Sequence, residues 1–261
     1  MLNSVSRIKG TTIRALDGDI GEISEAYFDD EKWAIRYLVV DTGTWLSERK
    51  VLISPYSVKH PLETGGAIQV SLSREQVKNS PGIDTHQPIS RRHEREYLGY
   101  YAYPDYWDGG DLWAMGGYPF LPLMPIVPVA GQVAPIPPGE PEVPPEDVHL
   151  RSSAHVEGYD IQATDGSIGH VKDFIFDDES WALRYLLVDT RNWWPGGKKV
   201  LIAPQWIKSL NWNEGSVSVS LSREQVKASP EFNEDMVLDR DYERRLYAAY
   251  GQPGYWDEHR P

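Results

Sequence analysis

The sequence contains no cysteine. This absence excludes disulfide bonds, thiolate catalysis and zinc sites built on cysteine. Basic residues are also scarce, since 26 lysines and arginines stand against 39 aspartates and glutamates, giving a net charge of -13. A protein that binds nucleic acid needs a basic surface for the phosphates. We therefore expect no nucleic-acid partner.

Signals for export and for common catalytic sites are missing as well. The first ten residues, MLNSVSRIKG, lack the apolar run of a signal peptide, so we expect a cytoplasmic protein. No GxSxG elbow, phosphate-binding loop or dinucleotide fingerprint occurs. We predict no catalytic residue and no cofactor.

A long apolar stretch at 112–138 contains prolines every few positions. Proline removes a backbone donor that a membrane-spanning helix must satisfy, so we interpret the stretch as an extended Pro-rich linker. Its apolar side chains can still dock on a neighbouring surface. We expect no membrane association, although a membrane-peripheral adaptor that uses this segment is an alternative.

The most informative feature is an internal repeat. FDDEKWAIRYLVVDT at 28–42 returns as FDDESWALRYLLVDT at 176–190, and SLSREQVK at 71–78 returns unchanged at 220–227. A period near 150 residues is too long for a solenoid and indicates a duplicated domain. We predict domain A at 1–107, a Pro-rich linker at 108–150 and domain B at 151–261.

Each copy has the pattern of a small β domain followed by short helices. The segment WAIRYLVVD alternates, and both of its faces are largely apolar, so this strand should be covered on both sides. Alternation places Arg36 on the face opposite Trp33 and Tyr37. Ser73 and Gln76 form a capping box that predicts a helix from Arg74 to about Asn79. A second helix is predicted at 91–101, and both helices recur in copy B.

The Gly-x-Ile-Gly turn, the repeated FDD-W-A-RYL-VDT segment and the following V-L-I-x-P strand resemble the PRC-barrel domain family. The resemblance covers roughly 11–80 and 159–229. It implies a mostly β fold with two small antiparallel barrels and short C-terminal helices, which we expect to pack within one chain as a pseudo-twofold pair. The family forms part of a photosynthetic reaction-centre subunit and of a ribosome-maturation factor, and it binds protein in both. It carries no shared catalytic residues.

Acidic side chains cluster at the turn of each copy. Carboxylates so arranged can bind Ca²⁺ or Mg²⁺, but the alternating ligands and central glycine of an EF-hand are absent. We favour a hairpin turn in which aspartate stabilises the bend by local hydrogen bonds. The weak metal candidates are Asp29, Asp30, Glu31, Asp177, Asp178 and Glu179.

Arg36 and Asp41 recur as Arg184 and Asp189. A buried arginine needs a carboxylate partner, so we favour a structural ion pair over an anion site. Shared aromatic side chains should fill the cores or the seam between the copies. The predicted structural and interface residues are Trp33, Arg36, Tyr37, Asp41, Trp181, Arg184, Tyr185 and Asp189.

Ten tryptophans and fifteen tyrosines are many for this length. Unshared tryptophans, namely Trp113, Trp206 and Trp212, are candidates for a binding surface because tryptophan is enriched in interface hot spots. Since the copies share core and turn residues, we predict a non-enzymatic protein-binding scaffold with an unidentified protein partner. The sequence is also compatible with homo-oligomerisation of the whole chain. The alternative is an enzyme that binds a metal or small ligand between the copies.

Overall fold

The computed structural model describes residues 1–59, 62, 65–82, 89–107, 109–114, 116–121, 149–191, 193–233, 236 and 238–256. Most of the predicted Pro-rich linker, including residues 122–138, lies outside them.

The described residues are mostly β, with two sheets and a few helices. Contacts divide the chain into two compact units. Unit 1 contains Met1, Asn3–Ala154 and Phe176–Ala182, and unit 2 contains Leu2, His155–Ile175 and Leu183–Pro261. Unit 1 therefore includes the turn Phe176–Ala182, which belongs to the second copy of the repeat.

The sheet of unit 1 has the strand order β5-β4-β3-β2-β6, and β7 pairs with the free edge of β3. Its strands are β2 Thr12–Ala15, β3 Gly18–Asp29, β4 Ala34–Asp41, β5 Lys50–Ile53, β6 Ile68–Gln69 and β7 Leu150–Ser152. Every β4 residue from 34 to 40 is buried, as the double-sided apolar pattern predicts.

The sheet of unit 2 has the order β11-β10-β9-β8-β13-β12. Of strand β1 Leu2–Ser4, only Leu2 belongs to unit 2. The strands are β8 Asp160–Ala163, β9 Gly166–Asp177, β10 Leu183–Asp189, β11 Lys199–Ile202, β12 Ile207–Asn211 and β13 Ser216–Val219. Among the described residues, no strand pairing joins the two ends of either path.

Within the described residues, six short α-helices accompany the sheets: α1 Val5–Ile8, α2 Arg74–Lys78, α3 Arg91–Tyr101, α4 Ser153–Val156, α5 Arg223–Ala228 and α6 Arg240–Tyr250. Both predicted capping boxes are present, with Ser73 at the start of α2 and Ser222 at the start of α5. The helix predicted at 91–101 has those bounds. No helix in the described part of the chain is both long and apolar enough to cross a bilayer.

The repeated Gly-x-Ile-Gly turn has a steric explanation in each unit. A Cβ atom on Gly21 would overlap the carbonyl oxygen of Asp41, and one on Gly169 would overlap that of Asp189. Only glycine lets the neighbouring backbones approach this closely. The turn therefore holds the hairpin strand β3 against the end of β4, and β9 against the end of β10.

Candidate functional site

Strand β4 carries a β-bulge at Arg36. Tyr27 pairs with Tyr37 while the next residue, Phe28, pairs with Ile35, so Arg36 is the extra residue. A bulge interrupts the alternation of side chains along a strand. The prediction that Arg36 and Tyr37 lie apart on opposite faces is therefore wrong, because both contact the cluster around Tyr106 and Glu94.

Arg36 is completely buried. Its Nη2 donates to Asp29 Oδ2 at 3.1 Å, and its Nη1 donates to the carbonyl oxygen of Leu112 at 2.7 Å. The guanidinium carbon lies 3.9 Å from the Tyr106 ring centroid and 4.6 Å from that of Trp113. Two aromatic rings, one carboxylate and one carbonyl therefore surround the cation.

The carboxylate that pairs with Arg36 is Asp29 and not Asp41. Asp41 is exposed and accepts a hydrogen bond from the Gly43 amide at 2.9 Å. Asp29 Oδ1 also accepts the amides of Glu31 and Lys32, as expected for an aspartate that stabilises a turn.

Glu94 of α3 lies beside this arginine and is 1% exposed. Its carboxylate accepts hydrogen bonds from Tyr37 Oη at 3.3 Å, from Arg91 Nη1 at 3.2 Å and from Tyr106 Oη. Burial raises the pKa of Glu94 to about 7, although Arg91 and Tyr106 oppose that shift. The carboxyl can therefore exchange a proton near neutral pH.

Unit 2 repeats this carboxylate cluster with matched residues. Glu243 of α6 accepts hydrogen bonds from Tyr185 Oη at 2.6 Å and Tyr255 Oη at 3.0 Å, and it pairs with Arg240 at 3.0 Å. Arg240 stacks on Trp256 at 4.5 Å. The corresponding Arg91 of unit 1 stacks on Trp107 at 4.6 Å.

Arg184 occupies the position of Arg36 but has different surroundings. It is partly exposed, and its guanidinium carbon lies 4.5 Å from the Tyr255 ring centroid. Its Nε has no hydrogen-bond partner, as is also true of the Nε of Arg36, but unlike Arg36 it takes part in no ion pair within the described part of the chain. The nearby predicted residue Asp189 pairs with Arg191 at 2.5 Å, and that hydrogen bond holds the pKa of Asp189 down at about 2.

Three other acidic turn residues, Asp30, Asp177 and Asp178, are also engaged by protein groups. Asp30 accepts Arg151 Nε at 2.7 Å, and Asp178 takes the N-terminal amine of Met1 together with Asn3 Nδ2. Asp177 Oδ1 accepts the amides of its own turn. The residues that the structure describes contain no group of three or more side chains arranged to hold a metal ion.

The predicted core aromatics stack on neighbours within unit 1. Trp33 lies 5.5 Å from Phe28, and Trp181 lies 5.3 Å from Phe176, between ring centroids in each case. Both tryptophans have positive φ angles and sit at the turn rather than in the strand.

The prediction that unshared tryptophans form a binding surface is wrong for two of them. Trp113 is 1% exposed and Trp206 is 3% exposed. Trp113 packs against Tyr56 and donates its Nε1 hydrogen to the Ser180 carbonyl at 2.8 Å, within unit 1. Trp206 packs on Tyr247 in unit 2. Trp212 is partly exposed.

Sequence reasoning missed Glu94 and Glu243, the centres of the two clusters. A signal was present, because Arg91, Glu94, Tyr106 and Trp107 all return 149 positions later. A charged residue repeated among tyrosines on an apolar helix face indicates a buried, hydrogen-bonded charge.

No curated protein matches the chain. The family model of the PRC-barrel domain matches residues 2–76, from β1 into α2, and it does not match the second copy. The resemblance drawn from the repeated motifs is thus confirmed for the first copy, because residues 2–76 match the model of the PRC-barrel domain family.

Proposed function

We propose that the protein is a non-enzymatic adaptor that binds other proteins through PRC-type units. The observation that carries the proposal is that unit 1 holds two segments from outside its family-matched region in the manner of peptide ligands. One segment adds a strand to its sheet, and the other inserts a tryptophan.

The strand segment is β7. Its register places Ser152 opposite Tyr27 and Leu150 opposite Asp29, and the Ser153 hydroxyl accepts the buried Ala26 amide at 3.1 Å. Arg151 adds the ion pair with Asp30. Strand addition with side-chain contacts on either side is a general mode of peptide recognition.

The tryptophan segment is 109–114. Trp113 fills the space between Tyr56 and Tyr106 and lies over the guanidinium of Arg36, which also binds the Leu112 carbonyl. A buried aromatic anchor, combined with a main-chain hydrogen bond to an arginine, is typical of protein interface hot spots. A PRC-type unit with this side-chain arrangement is thus suited to holding an aromatic peptide.

The matched polar residues support an adaptor rather than an enzyme. Glu94 and Glu243 are buried, and each is enclosed by two tyrosines and an arginine. Because both carboxylates are enclosed in this way, we assign them a structural role in the packing of α3 and α6.

Two exposed aromatic side chains follow the tryptophan segment: Tyr118 is 58% exposed and Phe120 is 59% exposed. Exposed aromatics are enriched at protein interfaces. We propose that they contact the partner.

Affinity capture with the full chain, followed by reconstitution with the purified partner, tests the proposal. We expect a stoichiometric complex in size-exclusion chromatography with light scattering, weakened at least about tenfold by Tyr118→Ser with Phe120→Ser. Leu16→Ser is the matched control, since Leu16 is 63% exposed in a turn of unit 1. Failure of every captured protein to form a stoichiometric complex would refute the adaptor function.

Closure of each sheet into a barrel, a pseudo-twofold relation between the copies, homo-oligomerisation and a cytoplasmic location stay predictions from the sequence. So do the two alternatives, a ligand-processing enzyme and a membrane-peripheral adaptor.

A further inference from the structure

Arg184 in unit 2 lacks the partners that Arg36 has in unit 1. Arg36 has an acceptor for each terminal nitrogen and two aromatic rings, Tyr106 and Trp113, beside its guanidinium. Arg184 has one ring, Tyr255, and no ion pair within the described residues. A partly exposed guanidinium with unused donors is an anchoring point for a ligand that offers an acceptor and an aromatic ring.

We propose that Arg184 and Tyr255, placed side by side in unit 2, form a docking site for an aromatic segment of a protein partner. This inference rests on the adaptor function and specifies one of its binding sites. The expected occupant is an extended segment in which a main-chain carbonyl directly precedes a tryptophan.

The chain itself shows how such an occupant binds. In unit 1, the Leu112 carbonyl accepts from Arg36 at 2.7 Å, and the ring of the next residue, Trp113, lies 4.6 Å from the same guanidinium. The carbonyl uses the donors of the arginine and the ring uses its flat face. A peptide of the same pattern can make both contacts with Arg184.

The surroundings of Arg184 differ from those of Arg36 in one respect that bears on the occupant. The position of Tyr56, which packs on Trp113, is taken in unit 2 by Gln205. Gln205 is exposed, and its amide donates to Tyr247 Oη at 3.4 Å. The site in unit 2 thus has a polar wall, which favours an aromatic ring with a hydrogen-bonding group over phenylalanine.

A peptide with the sequence of residues 109–114, Gly-Gly-Asp-Leu-Trp-Ala, is the probe. Labelled with fluorescein, it is titrated with the full-length protein and followed by fluorescence anisotropy. We expect saturable binding that is lost when the tryptophan of the peptide is replaced by alanine. Absence of saturation at millimolar protein overturns the proposal.

Variants of the full chain test whether the peptide binds to unit 2. Arg184→Gln should weaken peptide binding at least about tenfold, and Arg184→Lys should weaken it less, because lysine retains the charge without the planar fork. Arg244→Gln removes an exposed arginine of the same unit and should leave binding unchanged. Circular dichroism and the thermal midpoint verify that each variant is folded.

Three outcomes contradict the proposal. Equal affinity of Arg184→Gln and wild type would place the peptide elsewhere. Equal binding of the alanine peptide would exclude an aromatic anchor. Displacement of the peptide by millimolar inorganic phosphate alone would identify Arg184 as an anion site.

These failures are distinguishable from failure of the adaptor function. A captured partner that forms a stoichiometric complex equally well with wild type and Arg184→Gln leaves the adaptor function intact and refutes only this site. Absence of any stoichiometric partner refutes the adaptor function, whatever the peptide does.

Discussion

Arg36 in unit 1 and Arg184 in unit 2 occupy the same position of a repeated sequence, yet only Arg36 is fully buried. Each stacks on a tyrosine that also binds a buried glutamate, Tyr106 in unit 1 and Tyr255 in unit 2. Arg36 in addition contacts Trp113, which lies beyond the repeat. The duplicated segment therefore determines where the arginine lies. The segment 109–114, which has no counterpart in the second copy, determines whether water reaches it.

The difference also changes what each arginine does for stability. Arg36 neutralises Asp29, which is 1% exposed, whereas Arg184 neutralises no carboxylate among the described residues. A buried ion pair adds little net stability over an apolar pair, but loss of one partner leaves an uncompensated buried charge. The two arginines should therefore respond very differently to the same substitution.

The largest effect is expected from Arg36→Gln. It leaves Asp29 buried without its cation and should lower the free energy of unfolding by about 3–5 kcal/mol. The matched Arg184→Gln should lower it by less than about 1 kcal/mol, since that side chain is partly exposed. Urea denaturation of the full chain, followed by circular dichroism, measures both. Equal losses would show that burial under Trp113 is irrelevant to the role of the arginine.

Trp113→Ala is expected to have the next largest effect. Removal of a buried tryptophan, and of its hydrogen bond to Ser180, should destabilise unit 1 by about 3–4 kcal/mol. It would also make the surroundings of Arg36 resemble those of Arg184. Trp212→Ala, at a partly exposed position, is the control and should cost about 1 kcal/mol or less. A small loss for Trp113→Ala would mean that the segment 109–114 is dispensable for burying Arg36.

Ionisation of Glu94 should make the stability of unit 1 depend on pH. Burial raises the pKa of Glu94 from 4.5 to about 7, so the folded state favours the protonated form. The stabilisation by this proton is complete below pH 4.5 and is lost as the pH rises to about 7. The loss should be on the order of 3 kcal/mol.

Glu94→Gln isolates this effect, because glutamine cannot ionise. The stability of wild type relative to Glu94→Gln should fall across that pH range in urea denaturation. Glu96→Gln, on the same helix, controls for the change in net charge. A constant difference between wild type and Glu94→Gln would show that Glu94 has the same charge throughout.

Much of the fold could be predicted from the sequence because local rules determine it. The alternating apolar residues of 33–41 indicated a strand covered on both sides, and the capping box at Ser73 indicated the start of α2. These features depend on residues within a few positions of one another. The turn role of Asp29 was predicted for the same reason.

The partners of Arg36 could not be predicted, since they depend on geometry that no local pattern encodes. The bulge at Arg36 overrides strand alternation, so the predicted face was wrong. The tryptophan that covers Arg36 lies 77 positions further along the chain, in a stretch that composition alone identifies as a linker. The match of the glutamates at 94 and 243 could have been found by aligning the helices of the two copies.

The smallest expected effect concerns a feature that the two units share without difference. Ser73 and Ser222 are the third residues of identical SLSREQVK segments, and each hydroxyl accepts the amide of the third helical residue at 3.2 Å. Ser73→Ala and Ser222→Ala should each cost about 1 kcal/mol in urea denaturation, whereas Ser→Gly at either position should cost only a few tenths. Because the caps are local, their effects should be equal even though those of the two arginines are not. If the two cap variants differed as widely as the two arginine variants, the contrast between the units would reflect a general difference in stability and not the tryptophan that covers Arg36.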